Sequence, residues 1–331
     1  MPDPSTSPVD EFLATTPRLS EPVFVPPLPA RREGTLKYIV LFLLTLWSAT
    51  YVGQMHYVSF SVGFSDRQLL LTAGQLAIRG FWYSVPVLLI LGSHEFGHYF
   101  ACRYYGVDAS LPYFLPMPMV LTGTLGAVIR IRQPIPTKRA LFDIGIAGPI
   151  AGFVVAIPLL LLGMYLSNVV PIPPQFRGTV IEFGEPLLFK AAEWIRFGAI
   201  ADGYTVNMHP MVFAAWFGML ATALNLFPLG QLDGGHISYA VLGHRSTTVT
   251  FATVLCLVTL TVFVSHSWVI WTVLSVAMLI VFGPRHPRVW DEHMPLDRTR
   301  LWLAAFAVLM FVLCFTPAPL EIKDIVPGVH V

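Results

Sequence analysis

Residues 91–98 read Leu-Gly-Ser-His-Glu-Phe-Gly-His. Side chains four apart share one face of a helix, so His94 and His98 can turn both imidazoles toward one metal ion. Glu95 lies beside them and can serve as general base toward a metal-activated water. A hydrolytic zinc site of this kind needs one more protein ligand and one open position. The chemistry written into these five residues is therefore metal-assisted hydrolysis.

The elements that must carry it are set by composition. The chain has 331 residues, of which 12% are charged and 55% belong to the apolar set, with mean hydropathy +0.67. A water-soluble chain carries about 25% charged residues, so this one has lipid as its main solvent. The same figures exclude a disordered chain. A net charge of +1 leaves no basic field for nucleic acid. Apolar runs recur at 36–52, 81–102, 141–166, 210–229, 248–264, 267–282 and 301–315. About 20 apolar residues cross a bilayer as a helix, and irregular backbone cannot face lipid. The last two runs are short, so the sequence predicts an all-α polytopic membrane protein with six or seven transmembrane helices. The motif at 94–98 then lies inside the second span. There an ionised side chain costs about 2.5–3.5 kcal/mol on insertion scales and is kept for function.

Orientation follows from the basic residues. With the amino terminus in the cytoplasm, fourteen Lys and Arg fall on the cytoplasmic side and six opposite, which favours that placement. The motif is then near the cytoplasmic end of its span. Residues 127–132, Ala-Val-Ile-Arg-Ile-Arg, alternate toward a strand pattern behind Gly123 and Gly126. They predict a short membrane-associated β-like hairpin near 117–133. Residues 1–35 hold eight of the 28 prolines and read as a flexible polar tail, retained because it lacks a signal-peptide pattern. Cys102, Cys256 and Cys314 stand apart in apolar runs as small core side chains. Trp82, Tyr83 and Trp268, near span ends, read as interface anchors.

The third ligand has several candidates. The longer soluble pattern fails, since Ala101 and Tyr104 stand where it needs Gly and His. Glu182, Glu185 and Glu193 lie on the wrong side of the membrane. Asp108 and Asp143 are nearer, although Asp143 suits a helix terminus. Asp233 fits best. It follows the fourth span in Asn225-Leu-Phe-Pro-Leu-Gly-Gln-Leu-Asp-Gly-Gly-His236, and spans two and four run the same way. Both motifs therefore sit at similar depth, and Pro228 with the glycines lets the chain bend a carboxylate inward. His236, three residues on, is a candidate supporting partner.

With HEFGH at 94–98, Gly148-Pro149-Ile150-Ala151-Gly152 in the third span, and the Asn225–His236 stretch, the chain resembles the site-2 protease family of intramembrane zinc metalloproteases. The resemblance covers roughly 81–243. It implies one Zn2+ held by His94, His98 and Asp233, Glu95 as catalytic base, and Asn225 near the substrate or the reacting carbonyl. It further implies hydrolysis of peptide bonds within or near the transmembrane segments of membrane-anchored protein substrates, often after a cut by an upstream site-1-type protease. Residues 167–209 are too short for a PDZ domain, so the expectation is a minimal member. On this reading, 1–35 is the cytoplasmic tail and 36–80 the first transmembrane helix with an external loop. The catalytic three-helix core is 81–243, and 244–331 adds further transmembrane helices and a short tail. The protein is expected as a multi-pass cell-membrane protein, active near the cytoplasmic side.

Two other readings stay open in the sequence. One is a zinc-binding membrane protein without proteolysis, such as a transporter. Against it, transporters show repeats or ionisable residues scattered over several spans. The other is a membrane metalloprotease acting on prenylated carboxyl ends, whose third ligand would be a glutamate.

Overall fold

A computed structural model describes residues 34–64, 69–117, 121–173, 178–284, 286, 287 and 289–325. The tail expected at 1–35 falls almost entirely outside them. All seven apolar runs are helical. Helix α1 is Leu36–Val62 and α2 is Ala73–Tyr104. Strands β1 (Tyr113–Pro116) and β2 (Thr124–Val128) follow. Then come α3 (Lys138–Leu166), β3 (Asn168–Pro171), β4 (Gly178–Phe183), α4 (Leu187–Phe197) and β5 (Tyr204–Asn207). Helix α5 (Pro210–Asn225) is followed by α6 (Asp233–Leu242) and α7 (Ser246–Phe263). Helices α8 (Val269–Phe282) and α9 (Arg298–Cys314) precede β6 (Leu320–Ile325).

Among the described residues, four helical stretches are long and apolar enough to cross a membrane: Leu36–Val62, Ala73–Tyr104, Lys138–Leu166 and Asp233–Phe263. Pro210–Asn225 and His266–Val281 are shorter apolar helices. The expected six or seven crossings are thus met by length only in part. The fourth run stops early because the chain turns at Pro228 and restarts as a helix at Asp233. The chain is mostly helical, as expected, and holds more strand than the one expected hairpin. Three two-stranded antiparallel sheets pair β1 with β2, β3 with β5, and β4 with β6. Non-helical backbone in an apolar setting must satisfy its polar groups, and these short ladders do so.

The hairpin sits partly where the alternation placed it. Its second strand ends at Val128, and Ile131 makes only an isolated bridge to Ala109. Its first strand begins earlier than expected, at Tyr113, between Pro112 and Pro116. Proline-flanked residues read as loop in sequence, yet proline is tolerated at a strand edge or end.

Local signals explain the starts of α2 and α3. Thr72 and Gln75 form a capping box at the start of α2, with Thr72 Oγ1 accepting from Gln75 N at 3.3 Å and Gln75 Oε1 from Thr72 N at 3.0 Å. Thr137 caps α3. One apolar core joins α3, α5 and α9 through Phe142, Ile146, Val212, Met219 and Met310. A second joins α1, α2 and the hairpin through Ala49, Val52, Tyr83, Val87 and Phe114. Tyr83 and Trp268 are buried, each 1% exposed, so two of the three expected interface anchors are core residues. Trp268 donates to the Pro317 carbonyl at 2.6 Å.

Candidate metal centre

Helix α2 is continuous through 94–98 and puts His94 and His98 one turn apart on one side. Their Nε2 atoms lie 3.1 Å from each other. Asp233 Oδ2 lies 3.2 Å from His94 Nε2 and 3.3 Å from His98 Nε2. Among the described residues, these three form the group of His, Cys, Asp or Glu able to hold a metal ion. All are shielded, with the two histidines and Glu95 buried.

Glycines make this approach possible. A Cβ on Gly148 of α3 would fall 2.1 Å from His98 Nε2, and one on Gly97 would fall 2.5 Å from the Ala147 carbonyl oxygen. Gly152 sits against His94 in the same way, at 3.2 Å from its Cβ. The Gly-Pro-Ile-Ala-Gly stretch is therefore the seat on which the histidine helix rests. His98 Nδ1 lies 2.7 Å from the Ile144 carbonyl oxygen. A carbonyl only accepts, so Nδ1 carries the proton. The neutral ring then offers its lone pair at Nε2, the atom facing Asp233.

The Asp233 half is built differently. Helix α5 ends at Asn225 and α6 begins at Asp233, with seven residues between. That connection folds tightly back: a Cβ on Gly234 would fall 2.0 Å from the Leu226 carbonyl oxygen, and one on Gly235 2.4 Å from that of Gly230. Asp233 thus opens a helix rather than closing one. Asn225 Nδ2 is 3.2 Å from His94 Nε2. The backbone N–H of Ile129, one residue past β2, faces the Glu95 carboxylate.

The donor set fits zinc. Zn–N and Zn–O bonds of about 2.0–2.2 Å in a tetrahedron set ligand atoms roughly 3.3–3.6 Å apart. The three observed separations, 3.1, 3.2 and 3.3 Å, need little adjustment. Two imidazoles and one carboxylate are suitable borderline donors, and three protein ligands leave a position open.

The other candidate residues are elsewhere. Asp108 pairs with Arg132 at 3.1 Å. Asp143 is held by Arg300, 2.9 Å from Nε, and by the Tyr105 hydroxyl. Both carboxylates tie loops and helix ends together. Glu185 and Glu193 lie in or beside α4. There burial, with Glu185 next, raises the Glu193 pKa. His236 does not touch the metal group through a hydrogen bond. Its Nδ1 lies 2.7 Å from His286 Nε2, and its Cβ packs against Gly145. Sequence reasoning missed the Ile144 carbonyl and the Ile129 amide, because backbone groups carry no sequence signature.

Fold and site together define a membrane-embedded protein with a buried two-histidine, one-aspartate metal group and an adjacent glutamate. The profile of peptidase family M50 matches residues 82–266, and the chain belongs to this family, the site-2 proteases. It is 29% identical over 214 residues to the probable zinc metalloprotease EGY2, chloroplastic, of Arabidopsis thaliana, covering 63% of this chain and 37% of that protein. It is 32% identical over 227 residues to the probable zinc metalloprotease EGY1, chloroplastic, of Oryza sativa subsp. japonica, covering 62% and 37%. With Arabidopsis thaliana EGY1 the identity is 34% over 173 residues, covering 50% and 30%. The chain thus spans about a third of the length of these relatives. No solved structure matches.

Proposed function

We propose that this chain is an intramembrane zinc metalloprotease that hydrolyses peptide bonds within or near the transmembrane segments of membrane-anchored proteins. The observation that carries the reading is the buried His94–His98–Asp233 donor group with the Glu95 carboxylate beside it. In this reading the three residues hold one zinc ion, which when bound polarises the scissile carbonyl and lowers the pKa of water toward about 7. Glu95, oriented by the Ile129 N–H, takes the proton of the attacking water and passes it to the leaving amine. The Asn225 amide steadies the carbonyl oxygen as charge develops on it. The active site faces the cytoplasmic side of a multi-pass cell-membrane protein, an orientation supported by the basic residues.

A transmembrane substrate hides its peptide bonds in helical hydrogen bonds and must unwind before cleavage. The extended segment then needs backbone partners. Strand β2 belongs to a two-stranded sheet, and its second edge can take the segment by strand addition. A groove of about 1190 Å³ between α1, α2 and α3 is lined by Tyr38, Phe42, Leu89, Phe96, Ile150 and Val154, and reaches Ser93 and Gly97 beside the motif. Its apolar walls suit a helix arriving from lipid.

The test is to purify the protein, measure its zinc, and compare cleavage of a membrane-anchored substrate by wild type and Glu95→Gln. The expected result is one zinc per chain in both and cleavage by wild type alone. Equal cleavage by both would refute the mechanism. Zinc without cleavage by either would favour a non-proteolytic metal protein.

A further inference from the structure

The hairpin between α2 and α3 does not simply lie against the helices; its tip is gripped. Two consecutive backbone carbonyls there each accept a hydrogen bond from a buried side chain of another element. Ser48 Oγ donates to the Gly123 carbonyl at 2.7 Å. The Tyr83 hydroxyl donates to that of Thr122 at 2.8 Å. The His56 ring packs between Tyr83 and Phe213 with centroids 4.8 and 4.6 Å away, beside the turn. Gly123 adopts φ +70°, and a Cβ there would fall 2.6 Å from Ala49 Cα, so the turn is seated directly on the α1 backbone. Thr122 Oγ1 closes the turn on the Thr124 carbonyl at 2.8 Å. At the other end of β2, the Ile129 N–H faces Glu95.

We infer that Ser48 and Tyr83 are positioning residues: they clamp the hairpin tip so that β2 keeps its register toward Glu95 and toward an incoming extended substrate. Ser48 belongs to α1, which precedes the family-matched stretch 82–266. The physical warrant is the cost of unpaired carbonyls in an apolar interior. A two-stranded hairpin is marginal by itself, and two side-chain donors at one turn make up what the two strands lack. The substrate half of this inference rests on the proposed proteolysis; the clamp half does not.

The experiment compares three full-length proteins in detergent or vesicles: wild type, Ser48→Ala/Tyr83→Phe, and Thr50→Val/Ser84→Ala. The last removes a buried α1–α2 hydrogen bond of 2.8 Å that does not touch the hairpin. Tyr83→Phe alone serves if the double variant folds poorly. Hydrogen exchange is followed over residues 121–129, with zinc content and with KM and kcat on a membrane-anchored substrate. The clamp predicts exchange faster by about tenfold in the tip variant and unchanged in the control. It also predicts a KM raised severalfold, with kcat and zinc held near wild type. Unchanged exchange in the tip variant, or equal acceleration in both variants, would overturn the clamp. Faster exchange with an unmoved KM would overturn its role toward substrate. If wild type cleaves nothing, the proposed proteolysis fails, and exchange still decides the clamp.

Discussion

The two halves of the metal group are built on opposite principles. The histidine half is one unbroken helix, α2, whose ligands are fixed by the helical repeat and whose approach to α3 is bought with glycines. The aspartate half is a helix end, a folded connection and a helix start, with Asn225 and Asp233 at the two lips of the break. The first half takes its geometry from regularity and so tolerates no added volume. The second takes it from a specific irregular backbone and so tolerates no change in the path of the chain.

Substitutions can break or sharpen this contrast. The largest effect is expected on removing a ligand from either half. His98→Ala and Asp233→Ala should each lose zinc and lower cleavage by about a thousandfold or more, read by metal analysis and by turnover. If Asp233→Ala keeps its zinc while Asp108→Ala or Asp143→Ala loses it, the aspartate half has been misassigned. Next is Gly148→Val, which would drive a methyl-bearing carbon into His98. We expect metal binding and activity to fall together, whereas Gly74→Ala, with nothing within 4 Å, should leave both intact. On the irregular side, Gly234→Ala meets the Leu226 carbonyl and should weaken zinc binding by displacing Asp233.

Smaller still is Asn225→Ala, where loss of one amide donor should lower kcat by about a hundredfold with zinc retained. The smallest effect lies far from the site. The Asp297 carboxyl, which caps α9, is held below the usual carboxylate range by the Arg300 backbone N–H and then by its side chain. Its folded pKa is depressed, so its contribution is present above the unfolded value of about 3.9 and lost as pH falls through the folded value. Melting temperature should therefore drop on acidification below about pH 4, and Asp297→Asn should flatten that dependence.

The regular half was the legible half. His94, Glu95 and His98 stand at a spacing that means one thing on a helix. Asp233 was legible only through depth and through the Asn–Pro–Asp-Gly-Gly pattern, and even then as the end of a span rather than the start of the next helix. Pro228 marks a break but does not say where the chain resumes. What stayed hidden is what depends on contact. Tyr83 looks like an interface anchor by position and type, but its hydroxyl is spent on a carbonyl thirty-nine residues away. β1 was obscured by its prolines, and the connection 167–209 carries two strands, a helix and a third strand that its length alone did not reveal. The two ladders beyond the expected hairpin stayed hidden for the same reason: short ladders arise from backbone needs, and side-chain patterns over four residues are too brief to announce them.

The tight packing of the 226–235 connection has a mechanical consequence. Because Gly234 lies against the Leu226 carbonyl and Gly235 against that of Gly230, there is no slack between Asn225 and Asp233. A tilt of α6 away from α2 would carry the carboxylate and the amide as one lever. Such a movement would dismantle the site in a single stroke, and its return would rebuild it without any search through side-chain conformations.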